Sequence, residues 1–343
     1  MRYKRLGNSG LRVSELALGT MTFGQDWGWG ADKATSRQIF DAYVAAGGNF
    51  IDTSNNYTNG TSEQYVGEFI ADTRDQFVVA TKYTLRLENG NPRNFNEGGN
   101  SRKSMMRSVE NSLRRLQTDY IDLLYLHMWD FMTPVEEVMR GMDDLVRAGK
   151  VLYVGFSDSP AWVVAYAVAL SERHGWVRPV AVQLPYSFAS RDAERDVLPM
   201  ARTLGLSVLA WGVLEGGELT GKYNEASNEP RRYEDASAKA KQMAAELREV
   251  SVKIGRSPAQ VAVNWVRQQP GVIPIVGART VAQIEDNLGT LDFTLTDKQL
   301  AHVGKLNEFR LGFPLSFLTD DHVRNLIFGN TFTLIDHPYS VVS

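Results

Sequence analysis

Eight short, mostly apolar runs recur along the chain, and between each pair there is room for one helix. The runs are Leu16 to Leu18, Asn49 to Asp52, Phe77 to Thr81, Ile121 to Leu126, Leu152 to Gly155, Ala181 to Leu184, Ser207 to Ala210 and Val272 to Val276. Their composition is that of strands buried on both faces, which read as continuous apolar stretches. Helical periods lie between them, over 36–46, 62–70, 101–115, 134–148, 161–171, 193–204, 237–254 with 258–267, and 281–288. Met105, Val109 and Leu113 follow the i, i+4 spacing of one helix face. Gly47-Gly48 and Gly149 stand where helices stop, and Pro134 where one starts. Eight strands, each followed by a helix, is the count of a (β/α)8 barrel, so all 343 residues are expected to serve one domain. A doubly wound sheet is the competing architecture. It wants GxGxxG after the first strand, and this chain has Gly19-Thr20-Met21-Thr22-Phe23-Gly24 there. The surplus length falls in three places: loop 83–100, loop 212–235 with Pro230, and a C-terminal tail, 307–343, of little helical period. In a barrel, loops that follow strands build the active-site face.

Composition narrows the chemistry. The chain has no cysteine, which removes disulfides, thiolate zinc sites, iron–sulfur clusters and a thiol nucleophile. A net charge of −3 gives no footprint for nucleic acid or an anionic membrane. The first residues lack the apolar core of a signal peptide, and the most apolar stretch, 160–170, is too short to cross a bilayer. A cytoplasmic location is expected. Oligomeric state is not legible.

Polar residues then stand out at the strand ends. Asp52, Lys82 and His127 each directly follow an apolar run, and Tyr57 lies five residues past Asp52. Together they would converge on one rim. A free tyrosine has a pKa of about 10, so it exchanges protons poorly at neutral pH. A lysine cation beside it favours the phenolate and lowers that pKa. An aspartate holds the lysine in place, and a histidine orients and polarises a carbonyl oxygen. Such a set moves a proton on and off oxygen. It contains no nucleophile and no metal, so it needs a hydride cofactor.

Other motifs fall away. Gly216 to Lys222 has GxxxxGK spacing, but Tyr223 replaces the Ser/Thr that would bind magnesium. His127, His174, His302, His322 and His337 form no ligand spacing, so no metal is expected. No GxSxG is present. Among the aromatics, Trp27 and Trp29 follow the first strand and Trp129 follows His127, which makes them substrate-pocket candidates. Trp162 and Tyr166, at helical spacing, read as core.

Over about residues 1–306 the chain resembles the aldo-keto reductases. The resemblance rests on Leu16 to Thr20, Asn49 to Tyr57, Ala80 to Lys82, Ser112 to Leu116, Tyr120 to His127, Gly149 to Ser157 and Gly277 to Arg279. It implies a (β/α)8 barrel, NAD(P)H and carbonyl reduction on a small-molecule carbonyl or alcohol. It assigns Asp52, Tyr57, Lys82 and His127 as the catalytic set, with Tyr57 as general acid. It also implies a cofactor path. Gly19, Thr20 and Met21 would lie beside the nicotinamide ribose. Ser157 and Gln183 would hold the carboxamide, and either Trp211 or Tyr186 would stack on the ring. Leu214, Gly216, Leu219, Gly221 and Lys222 would cover the pyrophosphate, and Gly277, Arg279, Gln283, Asp286 and Asn287 would reach the adenosine end. Many relatives carry Asn where this chain has Asp158, and an ionised carboxylate accepts from an amide but cannot donate. Arg279 suits a 2′-phosphate, so NADP(H) is favoured over NAD(H). A nucleotide-binding regulatory subunit with little turnover is the alternative that this fold allows.

Overall fold

A computed structural model describes residues 1–91, 93–224 and 235–336. Pro230 and most of the second half of loop 212–235, the end of the tail and His337 lie outside the described residues. The chain opens with a hairpin, β1 (Tyr3–Arg5) antiparallel to β2 (Arg12–Ser14). The barrel strands follow as β3 (Ala17–Gly19), β4 (Phe50–Asp52), β5 (Val78–Tyr83), β6 (Ile121–Leu126), β7 (Val151–Ser157), β8 (Ala181–Pro185), β9 (Ser207–Trp211) and β10 (Val272–Gly277). All eight are parallel, and β10 pairs with β3 to close the ring. The expected (β/α)8 barrel is therefore present, with each strand within a residue or two of its apolar run.

The helices between strands are α1 (Lys33–Ala45), α2 (Thr61–Ile70), α3 (Arg102–Leu116), α4 (Val135–Arg147), α5 (Ala161–His174) and α6 (Val197–Leu204). The last crossover holds α7 (Ala238–Ile254) and α8 (Pro258–Arg267), and α9 (Val281–Leu288) follows β10. Ser101, Ser237, Ser257 and Thr280 cap their helices by accepting a backbone N–H. The helix expected over 193–204 is two pieces: a 3-10 turn, Asp192–Arg195, and then α6, started by Asp196.

Successive strand residues face opposite ways, so each strand feeds two cores. Ala17, Phe50, Val78, Ala80, Leu123, Tyr125, Ala181, Leu209 and Ile273 fill the barrel interior. Leu18, Ile51, Val79, Leu124, Val154, Val182, Val208 and Val276 pack outward against the helices. The hairpin closes the bottom: Leu6 and Val13 join the interior cluster, Gly7 N–H donates to Ser207 Oγ at 2.7 Å, and Lys4 Nζ donates to the Val272 carbonyl at 2.9 Å.

Two expectations are corrected. Trp162 and Tyr166 are 60% and 42% exposed. The buried stripe of α5 is Val163, Val164, Ala167 and Val168, and the two aromatics lie off it, with Tyr166 hydroxyl donating to Glu136. The tail is also more helical than its period indicates. After α10 (Asp297–Gly304), which opens on a Thr296–Gln299 capping box, the tail holds α11 (Leu315–Leu318), α12 (Asp321–Phe328) and a 3-10 turn, Gly329–Leu334. Phe313, Leu326, Ile327 and Leu334 remain exposed there. No helix among the described residues is long and apolar enough to cross a membrane.

Candidate active site

The inward-facing series continues past the apolar interior into polar residues. Phe50 is followed two positions on by Asp52, Val78 and Ala80 by Lys82, Leu123 and Tyr125 by His127, Gly155 by Ser157, and Ala181 by Gln183. The two-residue period alone aims these five side chains at the C-terminal mouth. Lys82 Nζ, fully buried, donates to Asp52 Oδ1 at 2.6 Å, to the Thr53 carbonyl at 2.8 Å and to Tyr57 Oη at 3.1 Å. Gln183 Nε2 donates to the other Asp52 oxygen at 2.7 Å.

Tyr57 comes from the loop after β4. Thr58 and Asn59 there adopt left-handed backbone, φ 45° and 53°. Thr58 Oγ1 donates to the Phe23 carbonyl at 2.6 Å and accepts from Ser62 N–H at 3.1 Å. These bonds hold the strained turn that presents Tyr57. The Tyr57 ring meets His127 edge-on, centroids 5.9 Å apart, and Trp27 edge-on at 6.4 Å. Ser54 Oγ lies 3.1 Å from His127 Nδ1, and Nε2 has no hydrogen-bond partner among the described residues. Ser54 was not among the expected site residues, although it shares a strand-end loop with Asp52 and Tyr57.

Electrostatics sets the charge states. Burial alone would lower the Lys82 pKa, but Asp52 and then Tyr57 outweigh it and hold the ammonium charged. Burial, and then Lys82, push the His127 pKa well below 6.5, so the ring is neutral at pH 7. For Tyr57 the balance differs from the expectation. Burial raises its pKa, Lys82 opposes this, and Asp52 adds to it, leaving a net rise. The phenol is held neutral, and Lys82 lessens the cost of the phenolate rather than reversing it.

A cleft of about 370 Å³ is lined by Trp29, Leu214, Gly216, Lys222, Gly277, Arg279, Gln283, Asp286 and Asn287, among others. Residues from the loop after β9 and from the start of α9 thus meet across one hollow. Thr22, Val213, Thr220 and Ala259 line it too and were not anticipated. Trp29, expected from its place after β3 as a substrate-pocket residue, lines this cleft. Lys222 lies across Gly217, where a Cβ would collide with it. Arg279 N–H donates to Gln283 Oε1 at 2.9 Å, and Asn287 Nδ2 to the Gly277 carbonyl at 3.2 Å. Asp286 accepts from Ser257 Oγ at 2.9 Å and Gln260 Nε2 at 3.0 Å. Leu219 is buried behind the loop, and Gly221 takes φ 83° at its end.

Between cleft and catalytic cluster, Gly19 lies so close to Ile275 that a Cβ would come within 2.8 Å of its Cγ2. Thr20 Oγ1 donates to the Asp52 carbonyl at 3.0 Å, and Met21 is half-buried. Ser157 Oγ is buried with no partner. Asp158, at φ 37°, accepts from Trp211 Nε1 at 3.1 Å. Trp211 keeps 40% of its surface exposed, whereas Tyr186 is buried. Tyr186 hydroxyl donates to Glu194 at 2.9 Å, and its ring packs on Trp265. Trp129 is buried edge-on to Trp162 and borders a separate hollow of about 640 Å³ with Leu85, Phe95, Met128 and Met132.

The aldo/keto reductase family model matches residues 15–308. Norsolorinic acid reductase of Emericella nidulans is 41% identical over 318 residues, 90% of this chain and 82% of its own length. An aryl-alcohol dehydrogenase [NADP(+)] of Phanerodontia chrysosporium is 37% identical over 354 residues, 95% of this chain and 91% of its own. A putative aryl-alcohol dehydrogenase of Saccharomyces cerevisiae is 37% identical over 331 residues, 91% and 88% of the two chains. With the barrel and the strand-end cluster, these matches identify the chain as an oxidoreductase that belongs to the aldo/keto reductase family.

Proposed function

We propose that the protein interconverts an aromatic aldehyde or ketone and its alcohol, with NADP(H) as cofactor and Tyr57 as general acid and base. The observation that carries this reading is the continuous chain Asp52–Lys82–Tyr57, with links of 2.6 and 3.1 Å, in a buried site. When bound, the cofactor supplies or accepts hydride at the carbonyl carbon. The residues present fit it: Ser157 Oγ is a buried hydroxyl lacking a partner, as a carboxamide site requires. Gln183 stands beside it across the β7–β8 register. Lys222 and Arg279 put two cations in the cleft, suited to phosphates. The exposed Trp211 face is the better candidate for ring stacking than buried Tyr186.

The proton path follows from the site alone. His127 is neutral, so the N–H of its ring donates one hydrogen bond to a carbonyl oxygen without carrying a charge. Tyr57 gives its proton to that oxygen as negative charge develops, and Lys82 stabilises the phenolate left behind. Asp52 keeps Lys82 charged and aimed. The aromatic substrate class is supported by the Trp27 wall on Tyr57 and by the names of the aryl-alcohol dehydrogenases. The preference for NADP(H) is supported by Arg279 and by one relative's name.

Tyr57→Phe tests the mechanism. NADPH binding should persist, followed by quenching of tryptophan fluorescence, while reduction of a benzaldehyde falls about 100- to 10,000-fold. Near-normal turnover would remove Tyr57 from the role. Arg279→Ala tests the cofactor: the ratio of Kd for NAD⁺ to Kd for NADP⁺ should drop several-fold, and an unchanged ratio takes Arg279 out of the argument.

A further inference from the structure

Asp158 places a carboxylate where the catalytic cluster does not use one. It follows β7 directly after Ser157, its side chain is half-buried, and Trp211 Nε1 donates to Oδ1 at 3.1 Å. Its backbone N–H donates to the Gln183 carbonyl at 3.0 Å, so the residue is fixed between Ser157, Gln183 and Trp211. Those are the three residues assigned above to the carboxamide and ring of the cofactor. The carboxylate also acts at a distance on Tyr57 and is itself acted on by Lys82.

Lys82 is paired with Asp52 at 2.6 Å and His127 is neutral, so Asp158 is a carboxylate of the cluster with no ion pair among the described residues. Glu63, deeper behind the same strands, is cancelled by Arg115 at 2.7 Å. Burial raises the Asp158 pKa, and the Trp211 N–H and then Lys82, which favour the anion, lessen that rise without reversing it. A carboxylate without an ion-pair partner, in a partly buried setting, does not treat a cationic and a neutral ring alike.

We propose that Asp158 makes this site prefer the oxidised nicotinamide cofactor, whose ring is cationic, over the reduced form, whose ring is neutral. The inference rests on the proposed cofactor site. It sets the partition between bound forms and leaves the solution equilibrium of the reaction untouched. Binding of the oxidised form is favoured by the charge, so the bound complex is biased toward the alcohol-oxidising state.

Asp158→Asn removes the charge and little else. Asn retains an oxygen to accept from Trp211 and is among the residues most tolerant of positive φ. Titration calorimetry at neutral pH with NADP⁺ and NADPH, on wild type and variant, is the test. The ratio of Kd for NADPH to Kd for NADP⁺ should fall about three- to tenfold in the variant, mainly through weaker NADP⁺ binding. If both forms bind both proteins and the ratio does not move, Asp158 is not the determinant and the cofactor site stands. If neither form binds the wild type, the cofactor site itself is wrong and this inference falls with it.

Discussion

His127 shows how a buried residue acquires its function from what it cannot do. The ring has no room to hold a proton, because burial and the Lys82 cation both oppose its charging. In the unfolded chain it titrates near 6.5. Below that pH the unfolded state takes up a proton that the native state refuses, so stability falls as pH drops toward the native pKa. Across that window His127 should make the slope steeper by up to about 1.4 kcal/mol per pH unit. Urea unfolding of wild type and His127→Gln at several pH values between 5 and 8 checks this. The wild type should lose stability faster than the variant below 6.5, and parallel curves would contradict the assignment of a neutral ring.

At the scale of elements, strand alternation decides which residues reach the site and how tightly the barrel fills beneath it. Gly155 faces Tyr125 across the β6–β7 pair. An added Cβ would lie 2.5 Å from Tyr125 Cε1 and 2.8 Å from the Ala181 carbonyl oxygen. Tyr125 is fully buried in the interior and cannot step aside. Gly155→Ala should therefore cost about 1–3 kcal/mol, read as a lower urea midpoint at unchanged slope. Much of this level was legible in advance. The apolar runs located all eight barrel strands, because strands buried on both faces cannot conceal their composition. Asp52, Lys82 and His127 were legible for the same reason, as polar residues ending such runs. The hairpin was not, since its strands are only three residues long and β1 has no buried residue. The turn of Tyr57 depends on tertiary bonds from Thr58 to Phe23, which no local pattern announces. The rise in the Tyr57 pKa depends on burial, which emerges only when Trp27 and His127 pack on the ring. Trp162 and Tyr166 misled because i, i+4 spacing identifies a face without saying which way it points.

The whole molecule is a ring with unequal attachments at its ends. The N-terminal hairpin plugs the interior, and removing residues 1–14 would open Phe50, Val78 and Leu123 to water from below. Among the described residues, the tail beyond Gly312 makes its close contacts chiefly within itself. Deleting the hairpin should lower the thermal midpoint by many degrees, whereas truncation after Gly312 should shift it by only a few. Differential scanning calorimetry of both variants tests the contrast, and equal losses would refute it. The closure of β10 on β3 has a consequence for how the ring is made. Its seam joins the beginning of the chain to residues near 275, so no rearrangement of the earlier strands can finish it. During synthesis, β3 waits with a raw edge until the last strand emerges, and β9 offers another. For most of translation the nascent chain is thus a sticky, incomplete sheet. Resistance to aggregation should therefore appear abruptly, when the eighth strand arrives, rather than grow as each helix is added.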